Sequence, residues 1–369
     1  MHATHQPIQL AGIPAAPVAA DALGENELQG PDRELSFDSC VPRNLVHKQA
    51  VAEVFLTDVL ARDRDRDRFA VAAQWPRDHV FFQPGADGCG DPLLWIETVR
   101  QISIYLSHRF YGVPHGNQFI LIDTGFVIDD PQPPRPSAAP LAVTLDVSVD
   151  VQARDARRLA ASLEAVVSIG GVRRGTATLT WQAVDRRRYD TLRRRRGGAP
   201  VMSGTGADRS TLAPSAVPVL PAAVGRRHEA NVLLAAPPGD GDRWQLQLDD
   251  SHLVFFDHAL DHVPGMALVE AFRQATALAS SRQGAPDPAP RLWALTSGLL
   301  AFHSFAELDA PATVDATRAG GAETADGERA FEVAATQDGR SLATGRLTGR
   351  ALPVSGHRPR TLTSAGGAA

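Results

Sequence analysis

Two short segments of the chain carry a glutamate followed three positions later by an arginine and then a glutamine. The first is Glu97-Thr-Val-Arg100-Gln101 and the second is Glu270-Ala-Phe-Arg273-Gln274. The same interval separates the two glutamates and the two arginines, which indicates one structural unit used twice. On an α-helix, residues three apart are neighbours, so each carboxylate can pair with its arginine. Such a pair offers a general base and a fixed cation for an anionic substrate.

The residues around both pairs are mainly apolar, which predicts two helices wrapped by protein on nearly all sides. An ordinary surface ion pair, contributing about 0–1 kcal/mol, is the alternative interpretation of either copy alone. Because the arrangement occurs twice, each time after a Phe-Phe pair (Phe81-Phe82 and Phe255-Phe256), we predict a functional site. A carboxylate in such a helix is expected to have a raised pKa, which suits a base.

The elements around the helices follow one plan in both halves. The first helix is expected at residues 92–108 and the second at 264–281. Strands are predicted at residues 51–57, 69–75, 119–126, 141–149, 163–169, 176–184, 231–235, 244–248, 291–305, 312–317, 331–336 and 341–347. Strands, one buried helix and then a run of antiparallel strands predict an α+β fold in each half.

Composition excludes several classes of function. The 369 residues, 43% of them hydrophobic, are enough for two domains, and a net charge of −5 gives no case for nucleic-acid binding. Two cysteines without a CxxC spacing predict a reduced, cytoplasmic protein without a disulfide framework. No apolar run is long enough to span a membrane, and no metal-ligand pattern, GxGxxG motif or P-loop is present. We therefore expect neither a metal nor a redox cofactor.

The second copy resembles the active-site segment of the hotdog β-hydroxyacyl-carrier-protein dehydratases. That family has Phe-Phe, a catalytic histidine, Pro-Gly and then a catalytic glutamate on the helix, matched here by His258, Pro264-Gly265 and Glu270. The span from His258 to Pro264 is about two residues shorter than in the family. The resemblance implies two tandem hotdog domains, each a long central helix inside a curled antiparallel sheet, forming an intramolecular pseudo-dimer.

The ordered chain as a whole, roughly residues 46–353, resembles the A-factor synthase family, which makes γ-butyrolactone signals in actinomycetes. The matching segments are Val46-His-Lys, Ala52-Glu-Val-Phe-Leu-Thr-Asp, Gln74-Trp-Pro-Arg-Asp-His-Val-Phe-Phe, Asp91-Pro-Leu-Leu, Gly112-Val-Pro, Asp257-His, Asp261-His-Val-Pro-Gly-Met and both Glu-x-x-Arg-Gln motifs. The resemblance implies an acyltransferase that moves a β-ketoacyl group from acyl carrier protein to the hydroxyl of dihydroxyacetone phosphate. The carrier's phosphopantetheine would hold the thioester, and no cofactor would be bound.

The resemblance also implies roles for individual residues. Glu97, His258 and Glu270 are the catalytic candidates, and Arg273 or Arg100 would hold the phosphate. With the Phe-Phe pairs aligned, His258 falls opposite Pro84 of the first half. One complete site is therefore expected, combining Glu97 of one half with His258 of the other. Glu270 would lack a histidine unless His79 replaced it, and a purely structural role is the alternative for His79, His258 and His262.

The predicted domain boundaries are an N-terminal tail at 1–40, hotdog domains at 41–190 and 225–355, a linker at 191–224 and a C-terminal tail at 356–369. The basic run at 186–198 is interpreted as the solvated start of the linker, with a phosphate or an acidic partner protein as the alternative ligand. Two rival functions remain open. One is a hotdog dehydratase or thioesterase, and the other is a non-catalytic regulator that binds an acyl ligand.

Overall fold

A computed structural model of the chain describes residues 33–63, 65–83, 91–129, 140–195, 216–236, 243–258, 260–282, 291–320 and 327–353. Most of the predicted N-terminal tail and all of the predicted C-terminal tail lie outside these ranges. No helix among the described residues is both long enough and apolar enough to cross a membrane.

Each half consists of one long helix packed on antiparallel strands. The first half contains β1 (Leu56–Asp63), β2 (Arg68–Trp75), α1 (Leu93–Arg109), β3 (Gln118–Ile128), β4 (Leu141–Asp155), β5 (Arg158–Ile169), β6 (Val172–Val184) and α2 (Arg186–Arg195). The second contains β7 (Val217–Pro218), β8 (Leu234–Ala236), β9 (Arg243–Leu246), α3 (Gly265–Arg282), β10 (Arg291–Phe302), β11 (Ala312–Arg318), β12 (Glu328–Gln337) and β13 (Arg340–Pro353).

The two halves share one continuous sheet. Its strand order is β1-β2-β4-β5-β6-β3-β10-β13-β12-β11-β9-β8-β7, so β3 of the first half pairs with β10 of the second at the centre. Gly298 and Phe126 lie opposite each other at this junction, and a Cβ on Gly298 would come within 2.7 Å of the Phe126 ring. A glycine is therefore required where the ring covers the neighbouring strand. This arrangement confirms the prediction of two tandem hotdog domains.

The central helix of the first half is buried almost along its whole length. Its apolar side chains pack into the core, and two of its hydroxyl groups accept bonds from tryptophans of the sheet. Trp75 Nε1 donates to Thr98 Oγ1 at 2.9 Å, and Trp181 Nε1 donates to Ser107 Oγ at 3.0 Å. These bonds satisfy polar groups that would be costly to bury alone. They also fix the rotation of α1, and hence the direction in which Glu97 points.

Three predicted segments differ in the structure. The strand predicted at 231–235 starts at the end of a 3₁₀ turn, Glu229–Asn231, and β8 begins only at Leu234. The segment predicted as a strand at 51–57 begins as a 3₁₀ turn, Val51–Glu53, and β1 starts only at Leu56. The basic run and predicted linker contain the helix α2 and a further 3₁₀ turn, Pro221–Val224. The ends of this linker are therefore folded, because α2 packs on the second half through contacts that a local sequence pattern does not reveal.

Candidate active site

Glu97 lies at the centre of the first polar cluster. It is 2% exposed and accepts bonds from Nε and Nη2 of Arg100, each at 2.8 Å, and from Nε2 of Gln101 at 2.9 Å. Lys48 Nζ lies 3.1 Å from its Oε1. Burial alone would raise the pKa of Glu97, but the charges of Arg100 and Lys48 hold it well below its ordinary value. The predicted raised pKa is therefore wrong, and this carboxylate is an anion held between two cations.

Glu270 lies in the equivalent cluster of the second half. Arg273 donates to it through Nε at 2.8 Å and Nη2 at 2.7 Å, and Gln274 donates through Nε2. Arg226 forms a second bidentate pair with the same carboxylate. Burial would raise the pKa of Glu270, but Arg226 and Arg273 lower it to about 2. This carboxylate is likewise a poor base.

The second cluster is sealed by groups from both halves. Arg226 Nη1 donates to the backbone oxygen of Phe81 at 2.6 Å and lies 3.3 Å from the Asp91 carboxylate. Arg273 Nη2 also donates to Val224 O at 3.2 Å. Each cation thus has several acceptors and is almost fully buried, as a structural ion-pair network requires. Glu270 and Arg273 are brought together as predicted, but neither lines the cavity onto which the Glu97 cluster opens.

The first cluster opens onto a cavity of 1220 Å³. Lys48, Glu97 and Arg100 line it, whereas Arg226, Glu270, Arg273 and Gln274 are not among the described residues on its wall. The Arg100 side chain is 23% exposed, against 10% for Arg273. Arg100 uses Nε and Nη2 on Glu97, and its Nη1 makes no hydrogen bond to any described residue. Arg100 can therefore bind an anion in the cavity while it stays paired with Glu97.

His258 reaches this same cavity from the second half. Asp257 accepts bonds from the backbone N–H of Gln49 at 2.6 Å and of Ala50 at 3.0 Å, which holds the segment against the first half. Burial and then the charge of Arg100 lower the pKa of His258, so its imidazole is neutral near pH 7. Its Nδ1 is buried without a hydrogen-bond partner among the described residues. The structure thus brings together His258 and the Glu97 cluster, while their catalytic roles stay predictions.

His79 is a turn-capping residue. Its Nδ1 accepts from the backbone N–H groups of Phe81 and Phe82, each at 3.1 Å, and its Nε2 lies 3.1 Å from Glu53 Oε1. With both ring nitrogens engaged, His79 does not replace a catalytic histidine for Glu270. The structural alternative therefore holds for this residue.

His252 is the counterpart of His79, and sequence reasoning missed it. Its Nδ1 accepts from the N–H groups of Val254 and Phe255, each at 3.3 Å. Phe255 therefore corresponds to Phe82, and the alignment of the two Phe-Phe pairs is wrong by one residue. His258 then corresponds to Gly85, which, like Pro84, lies outside the described residues. The signal was present, because His79 and His252 are separated by the same interval as Glu97 and Glu270.

A pair of histidines, of which His47 lines the cavity, was also missed. His47 Nε2 lies 2.8 Å from His108 Nε2, and His108 Nδ1 lies 2.7 Å from the oxygen of Val113. The carbonyl can only accept, so His108 Nδ1 carries the proton and His47 Nε2 donates to His108. Burial, followed by His108, lowers the pKa of His47 to about 3. His47 is thus neutral in the working pH range. Its backbone is in the left-handed region, with φ of 54°, and the equivalent position of the second half is Gly225, with φ of 66°.

His262 belongs to a network on another part of the cavity wall. Asp261 accepts from the Tyr189 hydroxyl at 2.7 Å and lies 2.7 Å from His262 Nδ1. Arg193 donates to both oxygens of Glu307, at 2.7 and 2.8 Å. These bonds join α2 to the second half and favour the structural alternative for His262. Within the described residues, no group of three or more His, Cys, Asp or Glu is placed to bind a metal ion.

Comparison with solved structures shows distant similarity to thioesterases and to a dehydratase. An acyl-ACP thioesterase from Bacteroides thetaiotaomicron has a TM-score of 0.42 at 12% identity, covering 78% of this chain and 100% of that one. A MaoC-like dehydratase has a TM-score of 0.42 at 14% identity, covering 70% and 83%. Similarity at this level says nothing about activity.

Sequence comparison is far more specific. A protein from Streptomyces virginiae, named 2-oxo-3-(phosphooxy)propyl 3-oxoalkanoate synthase, is 39% identical over 302 residues, covering 81% of this chain and 94% of that protein. A protein of the same name from Streptomyces coelicolor is 32% identical over 313 residues, covering 85% and 92%. The A-factor biosynthesis hotdog domain matches residues 31–185 and again 207–353. The chain therefore belongs to the A-factor biosynthesis hotdog family.

Proposed function

We propose that this protein is an acyltransferase of γ-butyrolactone autoregulator biosynthesis. It transfers a β-ketoacyl group from the thioester of acyl carrier protein to the hydroxyl of dihydroxyacetone phosphate. The names of the relatives describe such a product, a 3-oxoalkanoate ester of a phosphorylated three-carbon alcohol. The observation that carries the proposal is the open Arg100–Lys48 cation pair in a cavity large enough for an acyl chain.

The two cations bind the phosphate. A guanidinium supplies a permanent charge with directed N–H donors, and the ammonium of Lys48 adds a second charge. Glu97 positions both groups, because its carboxylate holds Arg100 in a bidentate pair and lies within reach of Lys48. A dehydration of a hydroxyacyl thioester would not need this anion site, and for this reason we favour acyl transfer.

His258 acts as the general base. Its imidazole is neutral and can take the proton of the acceptor hydroxyl as the oxygen attacks the thioester carbonyl. Collapse of the intermediate breaks the carbon–sulfur bond, and the proton passes to the leaving thiolate of the carrier. Gly265 and Met266, at the start of α3, line the cavity, where helix N-terminal N–H groups can hold the developing oxyanion.

A reconstituted reaction tests this proposal. Purified protein is incubated with a β-ketoacyl carrier protein and dihydroxyacetone phosphate, and the phosphorylated ester is followed by mass spectrometry. We expect product with the wild type, and losses of at least about 100-fold in Glu97→Gln and His258→Gln. His303→Gln is the matched control, because His303 is exposed and its side chain bonds only to Thr344 among the described residues.

The rival functions are separated by also supplying a β-hydroxyacyl carrier protein, by omitting dihydroxyacetone phosphate, and by measuring ligand binding beside turnover. Loss of water from a hydroxyacyl thioester, or thioester hydrolysis without any need for dihydroxyacetone phosphate, would show a dehydratase or a thioesterase. Tight binding of the acyl ligand without turnover would show a regulator. Full activity in both Glu97→Gln and His258→Gln would remove the site assignment.

A further inference from the structure

The helix α2 is anchored along one face. Tyr189 is 2% exposed and donates its hydroxyl to Asp261, and Arg193, one helical turn later, forms a bidentate pair with Glu307. The Arg193 guanidinium also lies 5.0 Å from the centre of the Phe305 ring. Although α2 directly follows the last strand of the first half, it is thus bound to the second half. This face of the helix is therefore held against the second half.

The outer face of α2 is strongly basic. Four exposed arginines project from it, namely Arg186, Arg187, Arg188 and Arg194. Asp190 balances only part of this charge, through its bond to Arg186 Nε at 3.0 Å. The whole chain has a net charge of −5, so this face is opposite in sign to the molecule that carries it. An anionic macromolecule would be steered towards it.

The basic face borders the cavity that contains the Glu97 cluster. Arg186 and Arg194 line the same cavity as Arg100 and Glu97, and the Arg186 side chain is 68% exposed. The cavity therefore reaches solvent beside α2. A thioester carried on a flexible arm can enter there while the protein bearing the arm stays outside.

We propose that the exposed arginines of α2 dock an acidic carrier protein and direct its phosphopantetheine arm into the cavity. This inference rests on the proposed function, since it assigns the surface that receives the acyl donor. The donor protein is too large to enter the cavity, so its recognition requires an outer surface. Charge complementarity supplies this recognition, mainly by raising the association rate.

The double variant Arg187→Glu/Arg188→Glu tests the docking surface, because neither side chain lines the cavity. One β-ketoacyl group is supplied on the carrier protein and, separately, on free pantetheine, which is uncharged. We expect kcat/KM for the carrier-bound donor to fall at least about tenfold through KM, with kcat at saturation unchanged. The rate with acyl-pantetheine should stay unchanged. Added salt should lower the wild-type kcat/KM for the carrier-bound donor and should have little effect on the variant.

A matched control is the double variant Arg318→Glu/Arg346→Glu. It makes the same charge change at two exposed arginines that lie on β11 and β13 rather than on α2. Equal losses in both double variants would show an effect of net charge and overturn the assignment to α2. Unchanged kinetics with the carrier-bound donor in the α2 variant would also overturn it, as would a parallel loss with acyl-pantetheine. Absence of ester from either donor in the wild type would instead remove the proposed function.

Discussion

Lys48 and Arg226 occupy equivalent positions in the two halves, and they contact their buried glutamates differently. Each follows a 3₁₀ turn and one residue in the left-handed region. Lys48 approaches a single oxygen of Glu97, whereas Arg226 binds both oxygens of Glu270 and continues to the backbone of the first half. The half that carries Lys48 has the site that opens onto the cavity, and the half that carries Arg226 has the sealed cluster.

Arg226 is expected to be essential for stability. Arg226→Met leaves part of the Glu270 charge and the oxygen of Phe81 without a partner, so the free energy of unfolding should fall by about 3 kcal/mol or more. Arg227→Met is the control, since that side chain is 61% exposed and its ion pair with Asp78 is long at 3.6 Å. Urea unfolding followed by tryptophan fluorescence measures both. Equal midpoints for the two variants would contradict a structural role of the second cluster.

Stability should fall in acid because of the two buried glutamates. The pKa of Glu270 is about 2 in the folded protein against an ordinary 4.5, so its contribution is fully present above pH 4.5 and is lost as the pH falls towards 2. The pKa of Glu97 is lowered too and adds to the same trend. Unfolding free energies at pH 6, 4.5 and 3.5 should decrease in that order. Glu270→Gln should be less stable at pH 6 and show a smaller decrease, and an unchanged pH slope would be inconsistent with this assignment.

The pH dependence of turnover should report His258. A general base acts in its neutral form, and burial beside Arg100 lowers the pKa of His258 below its ordinary 6.5. We therefore expect kcat/KM to decline only below about pH 6.5, and this decline to be absent from the residual activity of His258→Gln. His47, with a pKa of about 3, should not contribute to the profile near neutral pH. An acid limb at or above pH 6.5 would argue against His258 as the base.

The parts of the site within one regular element could be predicted from the sequence. The spacing of Glu97 and Arg100 on a helix determines that they pair, and the repeat shows that Glu270 and Arg273 do the same. The fold followed from two apolar helices flanked by strands. The approach of His258 to the Glu97 cluster depended on the family resemblance, because no local pattern brings two halves of a chain together.

The residues that decide which site is open could not be predicted in this way. Lys48 and Arg226 reach the helices from 3₁₀ turns, and Arg226 follows a segment whose composition resembles a linker. Their charges also reverse the pKa expected for a carboxylate in an apolar helix. A sequence pattern can indicate that a carboxylate is buried. The cation that compensates its charge is brought next to it by the tertiary structure, which the pattern does not reveal.

The preference for a phosphorylated acceptor tests the central claim most directly. The ratio of kcat/KM for dihydroxyacetone phosphate to that for dihydroxyacetone is measured in the wild type, in Arg100→Met and in Arg109→Met, an exposed position on the same helix. If Arg100 binds the phosphate, the ratio should fall about 10- to 100-fold in Arg100→Met, as expected for loss of a charged hydrogen bond of roughly 1.5–3 kcal/mol. It should stay unchanged in Arg109→Met. An undiminished ratio in Arg100→Met would contradict the claim that the open Glu97–Arg100 cluster holds a phosphorylated alcohol.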